Sequence, residues 1–220
     1  MSRFVDLTQS VGHGTVTYPT LPPLSISDEL SREASKATYA PGVTFQIARI
    51  DMVANTGTYL DAPSHRYEDG ADLASLPLEL TVDLDGLLID ATATGRVIEP
   101  EAFAGAAVAG RAVLFHTGWS RHFATPAYGA RDRHPFVTRA AAEALVSMGA
   151  RLVGIDSVNI DNMDDFTRPV HSLLLQAGIP IVEHLTALDR LPPQGFRFFA
   201  APPKFRGVGT FPVRAFAIVD

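Results

Sequence analysis

The stretch from Thr138 to Val182 constrains the fold more than any other part of the chain. Within Thr138 to Met148, the residues Ala141, Ala144, Leu145 and Met148 recur at i, i+3, i+4 and i+7, the spacing of one apolar helix face. Thr138 suits the N-cap and Gly149 suits the stop. Leu152 to Ile155 then reads as a short buried strand, His171 to Ala177 as a second helix ended by Gly178, and Ile179 to Val182 as the next strand. Helices and strands that alternate in this way need a sheet to pack on.

Upstream the strand pattern dominates. Val43 to Val53 alternates and is rich in β-formers, so it reads as a strand. Leu80 to Ala91 is extended, with Asp85-Gly86 as a turn signal inside it. Pro100 to Val108 suits a short helix and Ala112 to His116 a buried strand, and the tail offers strands at Phe196 to Ala201 and Val213 to Val219. Residues 9–42, rich in Pro, Gly, Ser and Thr, read as a long arm with little regular structure, either a lid or oligomer contact or a plain connector. The expectation is one mixed α/β domain over residues 1–220, a central sheet or open β-barrel with flanking helices.

Composition closes several alternatives. A net charge of −6 and no Lys/Arg cluster argue against nucleic acid as a partner. The absence of cysteine excludes disulfides, thiolate ligands and a cysteine nucleophile, and fits the cytoplasm. Met1 to Leu7 lacks a charged-then-apolar signal pattern, and the most apolar stretch, Ala102 to Phe115, is too short and interrupted to span a membrane. There is no Gly-x-Ser-x-Gly elbow and no P-loop, and Gly207-Val208-Gly209 lacks the third glycine of a dinucleotide loop.

Directly after the Val43–Val53 strand comes Asn55-Thr56-Gly57-Thr58-Tyr59-Leu60-Asp61-Ala62-Pro63-Ser64-His65. This segment resembles the cyclase-family signature His-x-Gly-Thr-His-x-Asp-x-Pro-x-His, which is found in bacterial kynurenine formamidases and isatin hydrolases. Gly57, Thr58, Asp61, Pro63 and His65 keep the pattern, whereas Asn55 and Tyr59 stand in place of two histidines. Thr117-Gly118-Trp119-Ser120-Arg121, the run from Gly154-Ile155-Asp156-Ser157 to Asp161, then His171 and Glu183, extend the resemblance. With Asp6-Leu7-Thr8 and Tyr18-Pro19 it covers nearly the whole chain and implies a cyclase-family fold of swivelling β/β/α type.

The resemblance implies metal ligands at Asp61, His171 and Glu183. Chain geometry allows this. A helix from His171 to Ala177 runs out roughly 10 Å and a strand to Glu183 returns about 16 Å, so the two side chains can meet at one end. A second family metal position would fall to Asn55, Tyr59 and Asp61, a poor set. Asn55 offers a neutral carbonyl, and Tyr59 ligates well only as phenolate, with an ordinary pKa of about 10. One divalent ion (Zn²⁺, Mn²⁺ or Mg²⁺) is therefore expected on Asp61, His171 and Glu183. A metal-free acid/base cluster and a two-metal site are the alternatives.

The resemblance makes His65 the acid/base, a role that suits imidazole near neutral pH. Tyr59 can donate to a developing oxyanion or merely fill space. Asn55 is either a second donor or a turn residue, and Trp119, Phe123 and Phe166 either line an apolar pocket or pack a core. Asp156 and Asp161 suit loop capping or the steadying of a ligand. His184 is expected on the opposite side of the strand from Glu183. The function implied is a small-molecule hydrolase or cyclase acting on an amide, lactam or ester carbonyl through activated water. A metal-independent cyclase, lyase or isomerase, or a non-catalytic small-molecule binder, are the rivals. The resemblance also implies a homodimer or homotetramer.

Overall fold

The structure, a computed structural model, describes residues 2–219. The strands among them are β1 (Arg3–Asp6), β2 (Ser25–Leu30), β3 (Ile47–Asp51), β4 (Tyr59–Asp61), β5 (Leu84–Asp90), β6 (Val97–Ile98), β7 (Ala112–His116), β8 (Phe136–Val137), β9 (Leu152–Ile155), β10 (Ile181–Glu183), β11 (Gln194–Phe199), β12 (Thr210–Pro212) and β13 (Phe216–Val219). The α-helices are α1 (Arg32–Ser35), α2 (Arg139–Ser147) and α3 (Pro169–Gln176).

Nine strands form one mixed sheet in the order β1-β13-β11-β5-β7-β9-β10-β4-β12, curled into a half-barrel. The centre, from β5 through β7 and β9 to β10, is parallel, and the flanks are antiparallel. The mixed α/β expectation is therefore borne out, and of its two forms the curled sheet is the one found.

Period-two alternation explains why the central strands read as unbroken apolar runs. Val113 and Phe115 of β7 face the core under α2 and α3 with Leu145, Val153, Ile155 and Leu174. Ala112 and Leu114 face the opposite core inside the curl with Leu60, Leu152, Val182 and Phe198. Thr138 caps α2 by accepting the Ala141 N–H at 3.2 Å, a contact worth about 1 kcal/mol.

Four upstream expectations need correction. The arm, expected to hold little regular structure, carries the six-residue β2 and the four-residue α1. The Val43–Val53 strand shrinks to β3, which pairs only with β2 as an exposed ribbon outside the main sheet. Asp85-Gly86 does not turn but lies inside β5. A side chain at Gly86 would bring a Cβ within 1.9 Å of the Phe196 ring, so glycine serves close packing there. Pro100 to Val108 forms only a 3₁₀ turn at Pro100–Phe103. No helix among the described residues is long and apolar enough to cross a membrane.

Candidate active site and metal centre

Five elements converge at one end of the half-barrel. β4 supplies Tyr59 and Asp61 on one face while Leu60 points into the core. Antiparallel pairing sets Glu183 of β10 opposite Tyr59, and on the other side Thr210 of β12 opposite Asp61. The 3₁₀ turn Pro63–His65 that follows β4 presents His65. The first turn of α3 presents His171.

Asp161 fixes His171. Its carboxylate accepts the N–H groups of Val170 at 2.7 Å and His171 at 3.1 Å, which satisfies two orphan donors of the helix start. It also takes the His171 ring Nδ1 at 2.6 Å, leaving Nε2 to face Asp61 Oδ2 at 3.5 Å and Glu183 Oε1 at 3.8 Å.

A second relay fixes His65. The Thr210 hydroxyl donates to Asp61 Oδ1 at 2.5 Å and lies 2.6 Å from His65 Nδ1. A hydroxyl has one proton to give, so the ring Nδ1–H donates to Thr210 and the lone pair falls on Nε2. That atom is 3.8 Å from Asp61 Oδ1. Gly209, just before Thr210, keeps the contact close, since a Cβ there would sit 2.3 Å from the His65 backbone nitrogen.

Asp61 Oδ2 is buried with no hydrogen-bond partner among the described residues. One ligand atom from each of Asp61, His65 and His171 lies within 4.8 Å of the others. An orphaned carboxylate oxygen and two imidazoles held through Nδ1 are the donor set a divalent ion requires, second contacts included. The residues present therefore fit such an ion. The third donor gathered here is His65 rather than Glu183. Each Glu183 oxygen already accepts a bond, from the Ile160 N–H at 2.6 Å and from the Tyr59 hydroxyl at 2.6 Å.

The electrostatics follow from crowding of like charge. Burial and the carboxylate of Asp61 push Glu183 up, to about 7, although the charge on His171 pulls the other way. Burial opposes charge on His171, yet Asp161, Asp61 and Glu183 together raise it to about 10. Its imidazolium balances those acids, and a divalent ion would compete with that proton. Burial and Glu183 drive Tyr59 well above the ordinary phenol range, so it stays a neutral donor.

The site opens into a cavity of about 290 Å³ whose wall includes Tyr18, Asn55, Tyr59, His65, His171 and Glu183. That size admits only a small molecule. Trp119 and Phe166 lie elsewhere. Trp119 packs with Tyr128, Val158 and Met163, its indole N–H on the Tyr128 carbonyl at 3.0 Å, and Phe123 joins that cluster. Phe166 is 82% exposed, with the Arg131 guanidinium 5.5 Å from its ring. Asp156 caps the Thr117-Gly118 turn.

His184 is not on the far side. Its φ of +59° breaks the strand after Glu183 and swings the ring to 4.9 Å from Tyr59. Sequence reasoning also missed the reach of Tyr18, whose hydroxyl lies 2.9 Å from that of Tyr59 and donates to the Val158 carbonyl at 2.6 Å. The Tyr18-Pro19 pair was the available signal for it. Thr210 had none, because only the β12–β4 pairing brings it in.

The family model described as "Putative cyclase" matches residues 5–162. A kynurenine formamidase of Bacillus cytotoxicus is 27% identical over 214 residues, covering 97% of this chain and 96% of that protein. Isatin hydrolase A from Ralstonia solanacearum has a TM-score of 0.84 at 26% identity, over 100% of this chain and 92% of that one. A solved structure described as a potential metal-dependent hydrolase with cyclase activity has a TM-score of 0.81 at 28% identity, over 100% and 99%. The family match takes in well over half of the chain, including the Asn55–His65 segment, so the chain belongs to the cyclase family.

Proposed function

We propose that the protein is a small-molecule hydrolase or cyclase that acts on an amide, lactam or ester carbonyl in this cavity. The observation that carries the reading is the convergence of one ligand atom from each of Asp61, His65 and His171 within 4.8 Å, with Asp61 Oδ2 left unpaired among the described residues. The relatives that are amide and lactam hydrolases support it. Asp61, His65 and His171 would hold a divalent ion, which supplies Lewis-acid polarisation of a carbonyl and acidifies water. Tyr59 keeps its proton and can turn it from Glu183 to a developing oxyanion. Glu183, 2.6 Å from that phenol, is placed to take a proton and return it to the leaving group. Asn55 borders the same space as a polar contact for substrate.

A metal-independent reaction is the second reading, favoured by the His171 charge that already balances three carboxylates. There His65, its Nε2 free at the cavity wall, is the acid/base and Tyr59 its partner. Metal analysis of tag-free protein separates the two. About one equivalent of Zn²⁺ or Mn²⁺, lost in His171→Ala, fits the first reading. Metal-free protein with chelator-insensitive turnover fits the second. A panel of formanilide, lactam and phenyl ester that shows no turnover with Zn²⁺, Mn²⁺, Mg²⁺ or chelator would sink the first. A homodimer or homotetramer belongs to the same proposal, with the exposed Phe45, Ile47 and Ile50 of the ribbon region as contacts. Light scattering on the eluted protein measures it, and a monomer would refute it.

A further inference from the structure

The cavity is bipolar. Its lining includes the acid Glu183 and also His171, whose ring lies against the buried carboxylates of Asp61 and Asp161. Its wall includes two arginines, Arg66 and Arg168. Arg66 follows the Pro63–His65 turn and Arg168 precedes α3, so each stands directly beside an element that supplies an imidazole.

Among the described residues, neither arginine has a carboxylate within 4.0 Å. Arg66 spends its Nε on the Ser172 hydroxyl at 3.3 Å and lies over the Tyr67 ring at 5.2 Å. Arg168 offers Nη1 to the Asn162 carbonyl at 3.3 Å. Among the described residues, the Lys and Arg ion pairs within 4.0 Å engage Lys36, Arg49, Arg131, Arg133, Arg197 and Arg214 instead. Asp165 feels the charge of Arg168 but makes no ion pair with it within 4.0 Å among the described residues, its Oδ1 accepting the Thr167 N–H and hydroxyl. In a chain of net charge −6, two arginines without a carboxylate partner on one small cavity are a local excess of positive charge.

The backbone of Arg168 adds an independent sign. Its φ of +47° and ψ of +59° place a long, non-glycine residue in the left-handed region, a conformation that costs on the order of 1 kcal/mol and collects at functional sites. A glycine would relieve that cost, yet an arginine stands there.

We propose that Arg66 and Arg168 form an anion-binding rim that selects substrates carrying a carboxylate remote from the carbonyl that reacts. The inference rests on the hydrolase reading for the word substrate, but not for the binding site itself. Glu183 and the acids around His171 repel a carboxylate and the rim attracts it, so a ligand bearing both groups enters in one orientation, carbonyl inward. Arginine favours carboxylate through paired N–H donors, and such charge-assisted bonds give about tenfold to hundredfold in affinity.

Titration of benzoate against benzamide into the purified protein tests it without requiring turnover. The expected result is benzoate binding at least about tenfold tighter, with salt weakening benzoate alone. In the Arg66→Met/Arg168→Met double variant that preference falls to near unity. Arg66→Met combined with Arg168→Gly, which removes the charge and suits positive φ, reproduces the loss should methionine at 168 impair folding. Equal binding of the two probes by the unaltered protein overturns the proposal. So does a benzoate preference that survives in both double variants, because the anion then sits away from the rim. Formanilide with and without a ring carboxylate separates this proposal from the hydrolase reading. Turnover without carboxylate preference leaves the hydrolase and removes the rim. Arginine-dependent benzoate binding without any turnover leaves the rim and removes the hydrolase.

Discussion

Asp161 is the residue whose replacement reports most sharply on how the site is held. Its two oxygens accept three buried N–H groups, from Val170 at 2.7 Å, His171 at 3.1 Å and the His171 ring at 2.6 Å. Asn at this position keeps one oxygen and turns an NH₂ toward donors, so at least one buried N–H loses its acceptor and the imidazolium loses its closest anion. Removing one partner of a buried charged pair costs about 3–5 kcal/mol, and in a protein of this size each kcal/mol moves Tm by about 2–4 °C. Asp161→Asn is expected to melt on the order of 10 °C lower. With the ring no longer steered through Nδ1, Mn²⁺ or Zn²⁺ affinity is expected to fall about tenfold to hundredfold. Calorimetric melting and metal titration on the same preparation measure both, with Asp165→Asn, a half-buried loop acceptor, as the control that leaves both near the unaltered values. Unchanged Tm and unchanged metal affinity in Asp161→Asn would show that packing alone aligns His171 and would refute the relay.

Tyr59→Phe removes the 2.6 Å donor to Glu183 and is expected to lower kcat about tenfold to thousandfold while the protein stays folded; full turnover would make the ring a filler. Gly86→Ala places a Cβ 1.9 Å from the Phe196 ring and should destabilise by about 1–3 kcal/mol in urea unfolding, overpacking being the cause; an unmoved midpoint refutes it. His134 is buried, and that burial lowers its pKa to about 4 from an ordinary 6.5. Above pH 6.5 both folded and unfolded states are neutral at this residue. As pH falls from 6.5 toward 4 the unfolded chain takes the proton first, so stability drops, by up to about 3 kcal/mol at about 1.4 kcal/mol per unit. Urea midpoints across that range in His134→Gln should lose this part of the slope, and an unchanged slope counts against it.

Much of the fold was written in local pattern. β7 and β9 are short apolar runs because both faces of the central sheet are covered, and α2 carries its own cap and stop. What failed was wherever one residue type serves two physical ends. Asp85-Gly86 has the composition of a turn, but the glycine was selected by the neighbouring strand: Phe196 of β11 needs its space. The Val43–Val53 segment is rich in β-formers, yet propensity says nothing about which sheet a strand joins, and β3 joins β2 outside the main one. His184 was placed by assuming that alternation continues, and a single left-handed residue ended it.

The site divides along the same line. The out-and-back path from His171 to Glu183 needs only element lengths, and the structure sets their side chains 3.8 Å apart. The Thr210 relay and the Tyr18 contact need the whole topology, because β12 and the arm are remote in sequence from β4. The two departures from the family signature are physically unlike each other. Asn55 stands at the cavity wall, and no side-chain hydrogen bond ties it to the site among the described residues. Tyr59 is built in: its hydroxyl donates to Glu183, meets Tyr18, and its ring lies beside His184. A side chain that merely filled a vacated space would need shape alone. This one also satisfies a carboxylate that burial makes expensive to keep charged, which is a reason for a phenol where phenylalanine would have fitted.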